Sequence, residues 1–167
     1  MTGLRPNGRV FWGAAVAIVV LDVATKFIAE RHLTLHVPHR VIGDAVRFTL
    51  AYNPGAAFSM HVGPASRWVF GAFAIIALII LWHLYHTSEP GERVKALALG
   101  LAWGGAAGNL IDRVRSSAGV VDFIDIGVRS VRFWTFNVAD SGVSVGAVML
   151  GIILLREDLR QKKASGG

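Results

Sequence analysis

The chain has 167 residues, of which 53% are hydrophobic and only 17% charged, and its formal net charge is +6. So little charge, with the apolar residues gathered into long blocks, excludes an ordinary water-soluble domain and predicts one integral membrane domain over residues 1–167. The basic residues flank those blocks, where anionic lipid headgroups account for them without nucleic acid, and the absence of cysteine excludes disulfides, thiolate nucleophiles and cysteine metal sites.

In chain order, the first apolar block covers residues 10–28. Arg5 and Arg9 precede it as in a secretory signal, but Asp22, Thr25 and Lys26 follow in place of a small-x-small cleavage site, so it reads as an uncleaved first membrane helix. Asp22 and Lys26 are four positions apart, on one helix face, and form an ion pair there: either a structural anchor for the helix end or a buttress for a site. Residues 31–66 are too polar for another crossing. Val46, Phe48, Leu50 and Tyr52 alternate with Arg47, Thr49 and Ala51, the pattern of a half-buried strand, which Asn53-Pro54-Gly55 ends as a turn. His32, His36, His39 and His61 lack the spacing of a metal site and read as solvated loop residues.

Residues 68–85 form a second, almost wholly apolar helix that faces lipid. Glu89-Pro90-Gly91 turns the chain into a third helix at 94–111. There Gly100, Gly104 and Gly108 recur every four residues and clear a seam for close approach of another helix. The seam leads to Asn109, Asp112 and Arg113; Asn109 shares a face with both of the others. Residues 114–136 return to extended character and complete a small sheet, with Asp125 expected as a surface charge. A fourth helix at 137–155 opens with Asn137, Asp140, Ser141 and Ser144 on one polar face, while Gly142 and Gly146 permit tight packing beside it. Trp12, Trp68, Trp82, Tyr85 and Trp134 fall near segment ends, as interfacial aromatics do.

Each block is about 18–19 residues, enough to cross a hydrocarbon core of about 30 Å. Four crossings put both termini on one side. Arg156, Arg160, Lys162 and Lys163 after the last helix, with Arg5 and Arg9 before the first, favour the cytoplasm.

Asp122 and Asp140 carry the chemistry. Both border apolar runs, where an ionised carboxylate is expensive and therefore functional by default. Two such acids can hold their proton affinities apart and so supply an acid and a base to one reaction. Ser141 and Ser144 have no histidine within sequence reach, so a Ser-His triad is not expected. Two carboxyls sharing a proton cleave a peptide bond through water without a covalent intermediate, metal or cofactor. Which aspartate is acid and which is base stays open. The competing readings are a small proton-coupled transporter and a non-catalytic membrane assembly factor; a transporter would place polar groups at mid-membrane on several helices, whereas here they crowd the helix ends.

Five stretches then carry a resemblance: Asp22-Val23-Ala24-Thr25-Lys26, Asn53-Pro54-Gly55-Ala56-Ala57-Phe58-Ser59, Gly108-Asn109-Leu110-Ile111-Asp112-Arg113, Val120-Val121-Asp122-Phe123 and Phe136-Asn137-Val138-Ala139-Asp140-Ser141. In this order they resemble the bacterial lipoprotein signal peptidases (signal peptidase II). The resemblance implies a mainly α membrane protein with four transmembrane helices, cytoplasmic termini and a small extracytoplasmic β-cradle, in the bacterial inner membrane. It implies cleavage of diacylglyceryl-modified prolipoproteins on the N-terminal side of the lipidated cysteine, with the site near the outer leaflet. Asp122 and Asp140 match the catalytic pair. Asn53, Asn109, Arg113 and Asn137 match residues that hold substrate or shape the site, and Asp22 and Lys26 match a supporting pair. Membrane lipid and the peptide antibiotic globomycin are the further partners it implies.

Overall fold

The computed structural model describes residues 7–55 and 63–165. Arg5, His61 and the Ala56-Ala57-Phe58-Ser59 part of one motif lie outside the described residues. Four helices follow the apolar blocks: α1 (Gly8–His32), α2 (Ser66–His86), α3 (Arg93–Arg115) and α4 (Val138–Ser165). All four are long and apolar enough to cross a membrane. Each runs past the limits read from the sequence, α4 by ten residues at its C-terminal end. Apolarity marks only the lipid-facing stretch; main-chain hydrogen bonding continues into the charged flanks. There, Arg31 and His32, Arg113 and Arg115, and Lys162 and Lys163 occupy last turns, against the negative end of each helix dipole.

α3 is the central helix and packs on α1, α2 and α4. Its glycines make that possible. A Cβ on Gly104 would sit 2.6 Å from the Ala15 carbonyl oxygen of α1. From α4, a Cβ on Gly146 would sit 2.6 Å from the Ala98 carbonyl oxygen of α3. Main chain therefore meets main chain on both sides of α3, the close approach that stands in for hydrophobic driving force in lipid. α2 exposes apolar side chains such as Phe73, Ile75, Ile76, Ile79 and Ile80, as expected of a lipid-facing helix.

At the end of the bundle that holds the α2–α3 turn, Phe11 stacks on Tyr85 with ring centroids 4.2 Å apart. Trp12, Trp82 and Trp103 close around this pair. Of the aromatics expected at the lipid interface, Trp82 is exposed and Trp12 half-buried at this end, while Tyr85 is buried. One residue, Phe11, offers a ring face that they can all reach. Asn7 Nδ2 ties the start of α1 to that turn by donating to the Glu89 carbonyl at 2.8 Å.

The opposite end carries a four-stranded antiparallel sheet in the order β1 (His39–Ile42), β2 (Val46–Asn53), β3 (Val120–Val128), β4 (Val131–Arg132). β2 and β3 pair with Ala51 opposite Asp122 and Arg47 opposite Asp125, with a bulge between Phe48 and Ala51. Leu50, Val121 and Phe123 pack on Ala29 of α1 and seat the sheet on the bundle. Asp125 is not the surface charge expected: it is only 6% exposed. Arg132 Nε donates to it at 2.6 Å and Thr49 Oγ1 at 3.1 Å. The β3–β4 hairpin turns Arg132 back over it, a pairing that local sequence spacing does not display.

Candidate active site

α4 starts with a reciprocal cap. Asn137 Oδ1 accepts the Asp140 N–H at 2.8 Å, and Asp140 Oδ2 accepts the Asn137 N–H at 3.2 Å. This is a capping box with aspartate at the third helical position, and it satisfies two of the donors that a helix start leaves open. The cap fixes the Asp140 side chain and leaves its Oδ1 for other partners.

Asparagines then join this carboxyl group to Asp122. Asn109 Nδ2, from α3, donates to Asp140 Oδ1 at 2.7 Å. Asn137 Nδ2 donates to Asp122 Oδ1 at 2.7 Å, to Asn109 Oδ1 at 3.1 Å and to the Val121 carbonyl at 3.2 Å. Asn137 is wholly buried, so each of these bonds is shielded from water. Asn53, at the end of β2, donates from Nδ2 to Asp122 Oδ2 at 3.3 Å. Its Oδ1 accepts the Gly55 N–H at 3.0 Å, which fixes the turn predicted there. Arg113 donates from Nη2 to the Gly55 carbonyl at 2.8 Å and from Nη1 to the Asn109 carbonyl at 3.1 Å. Its Nε is buried without a partner among the described residues.

One cavity of about 880 Å³ has Asp122, Asp140, Asn53, Asn109 and Arg113 in its wall. Ser141, Ser144 and Val143 continue the wall down α4; Tyr52, Phe133 and Trp134 form an aromatic rim. The polar groups converge at one place in a largely apolar hollow, the usual make-up of a ligand site. Asp122 is 3% exposed. Burial, and then the negative charge of Asp140, raise its pKa from the ordinary 3.8 to about 7, against the smaller opposing pull of the Asn53 and Asn137 hydrogen bonds. The site therefore retains a proton on a carboxyl group near neutral pH.

Asp22 and Lys26 do not line this cavity but lie behind it. Lys26 Nζ is 2.7 Å from Asp22 Oδ2 and donates to Asn109 Oδ1 at 3.0 Å. The sequence-expected residues thus fall into one connected assembly: Asn53, Asn109, Arg113, Asp122 and Asp140 in the cavity wall, and Asn137, Asp22 and Lys26 buried behind it. Sequence reasoning assigned no site role to Asp112, which is buried and meets Lys26 Nζ at 2.9 Å. Its position three residues after Asn109, on a face shared with it, was the available signal. His36, read as a solvated loop residue, is exposed and also borders the cavity, with a left-handed backbone at φ 59°.

Comparison with known proteins gives the family. Residues 14–156 match the family model of signal peptidase (SPase) II. The lipoprotein signal peptidase of Geobacter metallireducens is 34% identical over 161 residues, covering 96% of this chain and 99% of its own. That of Coxiella burnetii is 41% identical over 146 residues, covering 84% of this chain and 86% of its own. A solved bacterial membrane enzyme superposes with a TM-score of 0.79 at 32% identity, over 87% of each chain. The chain belongs to the signal peptidase II family, the lipoprotein signal peptidases, which are membrane peptidases that remove the signal peptides of lipoproteins.

Proposed function

We propose that this chain is an aspartic peptidase, one integral membrane unit over residues 1–167, that hydrolyses diacylglyceryl-modified prolipoproteins on the N-terminal side of the lipidated cysteine. The observation that carries the reading is the hydrogen-bonded chain Asp122–Asn137–Asn109–Asp140, which sets both carboxyl groups in the wall of one cavity with the buried Asn137 joining them from behind. The raised proton affinity of Asp122 makes it the starting acid and leaves Asp140 as the base. Water adds its oxygen to the scissile carbonyl carbon and gives a proton to Asp140, while Asp122 gives its proton to the carbonyl oxygen. The tetrahedral diol then collapses: Asp140 passes its proton to the leaving nitrogen, the C–N bond breaks, and one hydroxyl returns its proton to Asp122. Asn53, Asn109 and Arg113 hold the peptide main chain, with Arg113 Nε as a donor to a substrate carbonyl.

The diacylglyceryl chains stay in lipid alongside α4, so membrane lipid delivers the substrate. We place the enzyme in the bacterial inner membrane with both termini cytoplasmic and the sheet end of the bundle at the outer leaflet. There the aromatic rim of Phe133 and Trp134 suits the interface. The peptide antibiotic globomycin would occupy the same cavity and block turnover. The test is cleavage of a lipid-modified precursor by purified protein in lipid. Asp122→Asn and Asp140→Asn each lower turnover about 10³-fold or more while the protein stays folded. Parent-level turnover by either variant would refute the aspartic mechanism.

A further inference from the structure

Two main-chain N–H groups in the site are held by carboxylates that never reach the cavity. The Ala139 N–H, one residue before Asp140, donates to Asp22 Oδ1 at 2.9 Å. The Val121 N–H, one residue before Asp122, donates to Asp112 Oδ2 at 3.2 Å. The same lysine joins both acids: Lys26 Nζ lies 2.7 Å from Asp22 Oδ2 and 2.9 Å from Asp112 Oδ2. A third contact of this ammonium, to Asn109 Oδ1 at 3.0 Å, reaches the asparagine that donates to Asp140. Lys26 is 1% exposed.

We propose that Lys26 is a positioning residue: with Asp22 and Asp112 it forms a buried fork whose tines grip the backbone immediately before each reacting aspartate and so set the spacing between them. This inference rests on the dyad reading above. One tine comes from α1 and acts on α4; the other comes from α3 and acts on β3. The fork therefore fixes, in one place, the register of three helices and the sheet.

Two further observations support it. Burying three charges is expensive, and apolar packing of equal volume commonly stabilises a protein as well or better, so such a group is better explained by the geometry it imposes than by stability. The chain also makes room for it. A Cβ on Gly108 would lie 2.7 Å from Asp22 Oδ2 and 3.3 Å from the Ala139 Cβ, so the last glycine of the α3 seam clears the space in which Asp22 meets Ala139. Asp112 is held from its other side as well, since Arg115 Nε donates to its Oδ1 at 3.0 Å.

The test uses Lys26→Met and Asp112→Leu in the full-length protein. Asp112→Leu removes the excess negative charge of the fork and leaves a neutral Lys26–Asp22 pair, so it folds even where Lys26→Met does not. Turnover of a lipid-modified precursor falls about 10²-fold in each; in Asp112→Leu, where no side chain assigned to hold the peptide loses a partner, KM stays within about threefold of the parent while the reacting pair is displaced. Hydrogen exchange followed by NMR shows faster exchange of the Val121 amide in Asp112→Leu and of both the Val121 and Ala139 amides in Lys26→Met, with the other helical amides unchanged.

A pH profile gives a third readout. Asp122 is faced by Asp140 from α4, Lys26 from α1, Arg113 from α3 and Asn53 from β2. The Lys26 charge lowers the proton affinity of Asp122, so Lys26→Met moves the alkaline limb of turnover to higher pH. Parent-level turnover in both variants overturns the fork, as does a loss in which all amides exchange faster together. Asp122→Asn is the control. If it stays active, the dyad reading itself fails; if it is dead while both fork variants are normal, only the fork fails.

Discussion

Replacing Asp122 by asparagine should abolish activity and yet stabilise the protein at alkaline pH. The pKa of Asp122 rises from 3.8 to about 7 on folding, so between those values the folded chain holds a proton that the unfolded chain releases. Stability contributed by this group is fully present below about pH 4 and is lost as pH climbs through 7, at about 1.4 kcal/mol per pH unit. Across some three pH units the loss is about 4 kcal/mol. Asparagine does not ionise and escapes that loss. It also meets two donors, Asn137 Nδ2 and Asn53 Nδ2, with only one acceptor oxygen, which costs about 1–2 kcal/mol at every pH. The net expectation is a variant about 2 kcal/mol more stable than the parent at pH 8 and slightly less stable at pH 4. Denaturant unfolding in micelles across that range, followed by circular dichroism, measures the difference. A stability difference that does not change with pH would show that Asp122 titrates normally and would remove the basis for naming it the acid.

Asn137→Ala should cost about 3 kcal/mol, since it removes the α4 cap and leaves Asp122 and Asn109 short of a buried donor; denaturant unfolding in micelles measures the loss. Gly104→Ala drives a methyl group to 2.6 Å from the Ala15 carbonyl oxygen, and separation of α1 from α3 should cost about 1–3 kcal/mol, read as a lower unfolding midpoint in mixed micelles. Arg132→Ala leaves Asp125 buried with Thr49 as its remaining side-chain donor; faster amide exchange confined to β3 and β4 is expected, with the helices unaffected.

The parts of this architecture that repeat locally were legible in the sequence. Apolar blocks gave the four helices, alternation at Val46–Tyr52 gave β2, and the glycine period in α3 gave the seam that packs on Ala15 and Asp22. Asn137 and Asp140 sat at the correct end of α4 because capping is itself a local pattern. What escaped depends on distant partners. Asp125 read as a surface acid because Arg132 reaches it only through the hairpin. Asp112 drew no role because its lysine lies on another helix, 86 residues earlier. The contacts of Trp12 and Trp82 with Phe11 were not legible either, because nothing in a one-dimensional pattern shows that Phe11 will offer them a shared ring.

The seam through α3 bears on how such a chain can diverge. Where helices touch through carbonyl oxygens and bare Cα atoms, their separation is indifferent to the identity of the residues pointing outward. The outer surfaces of α1 and of the far half of α4 are then free to drift, adapting to thicker, thinner or differently charged bilayers, without displacing the polar cluster at the sheet end.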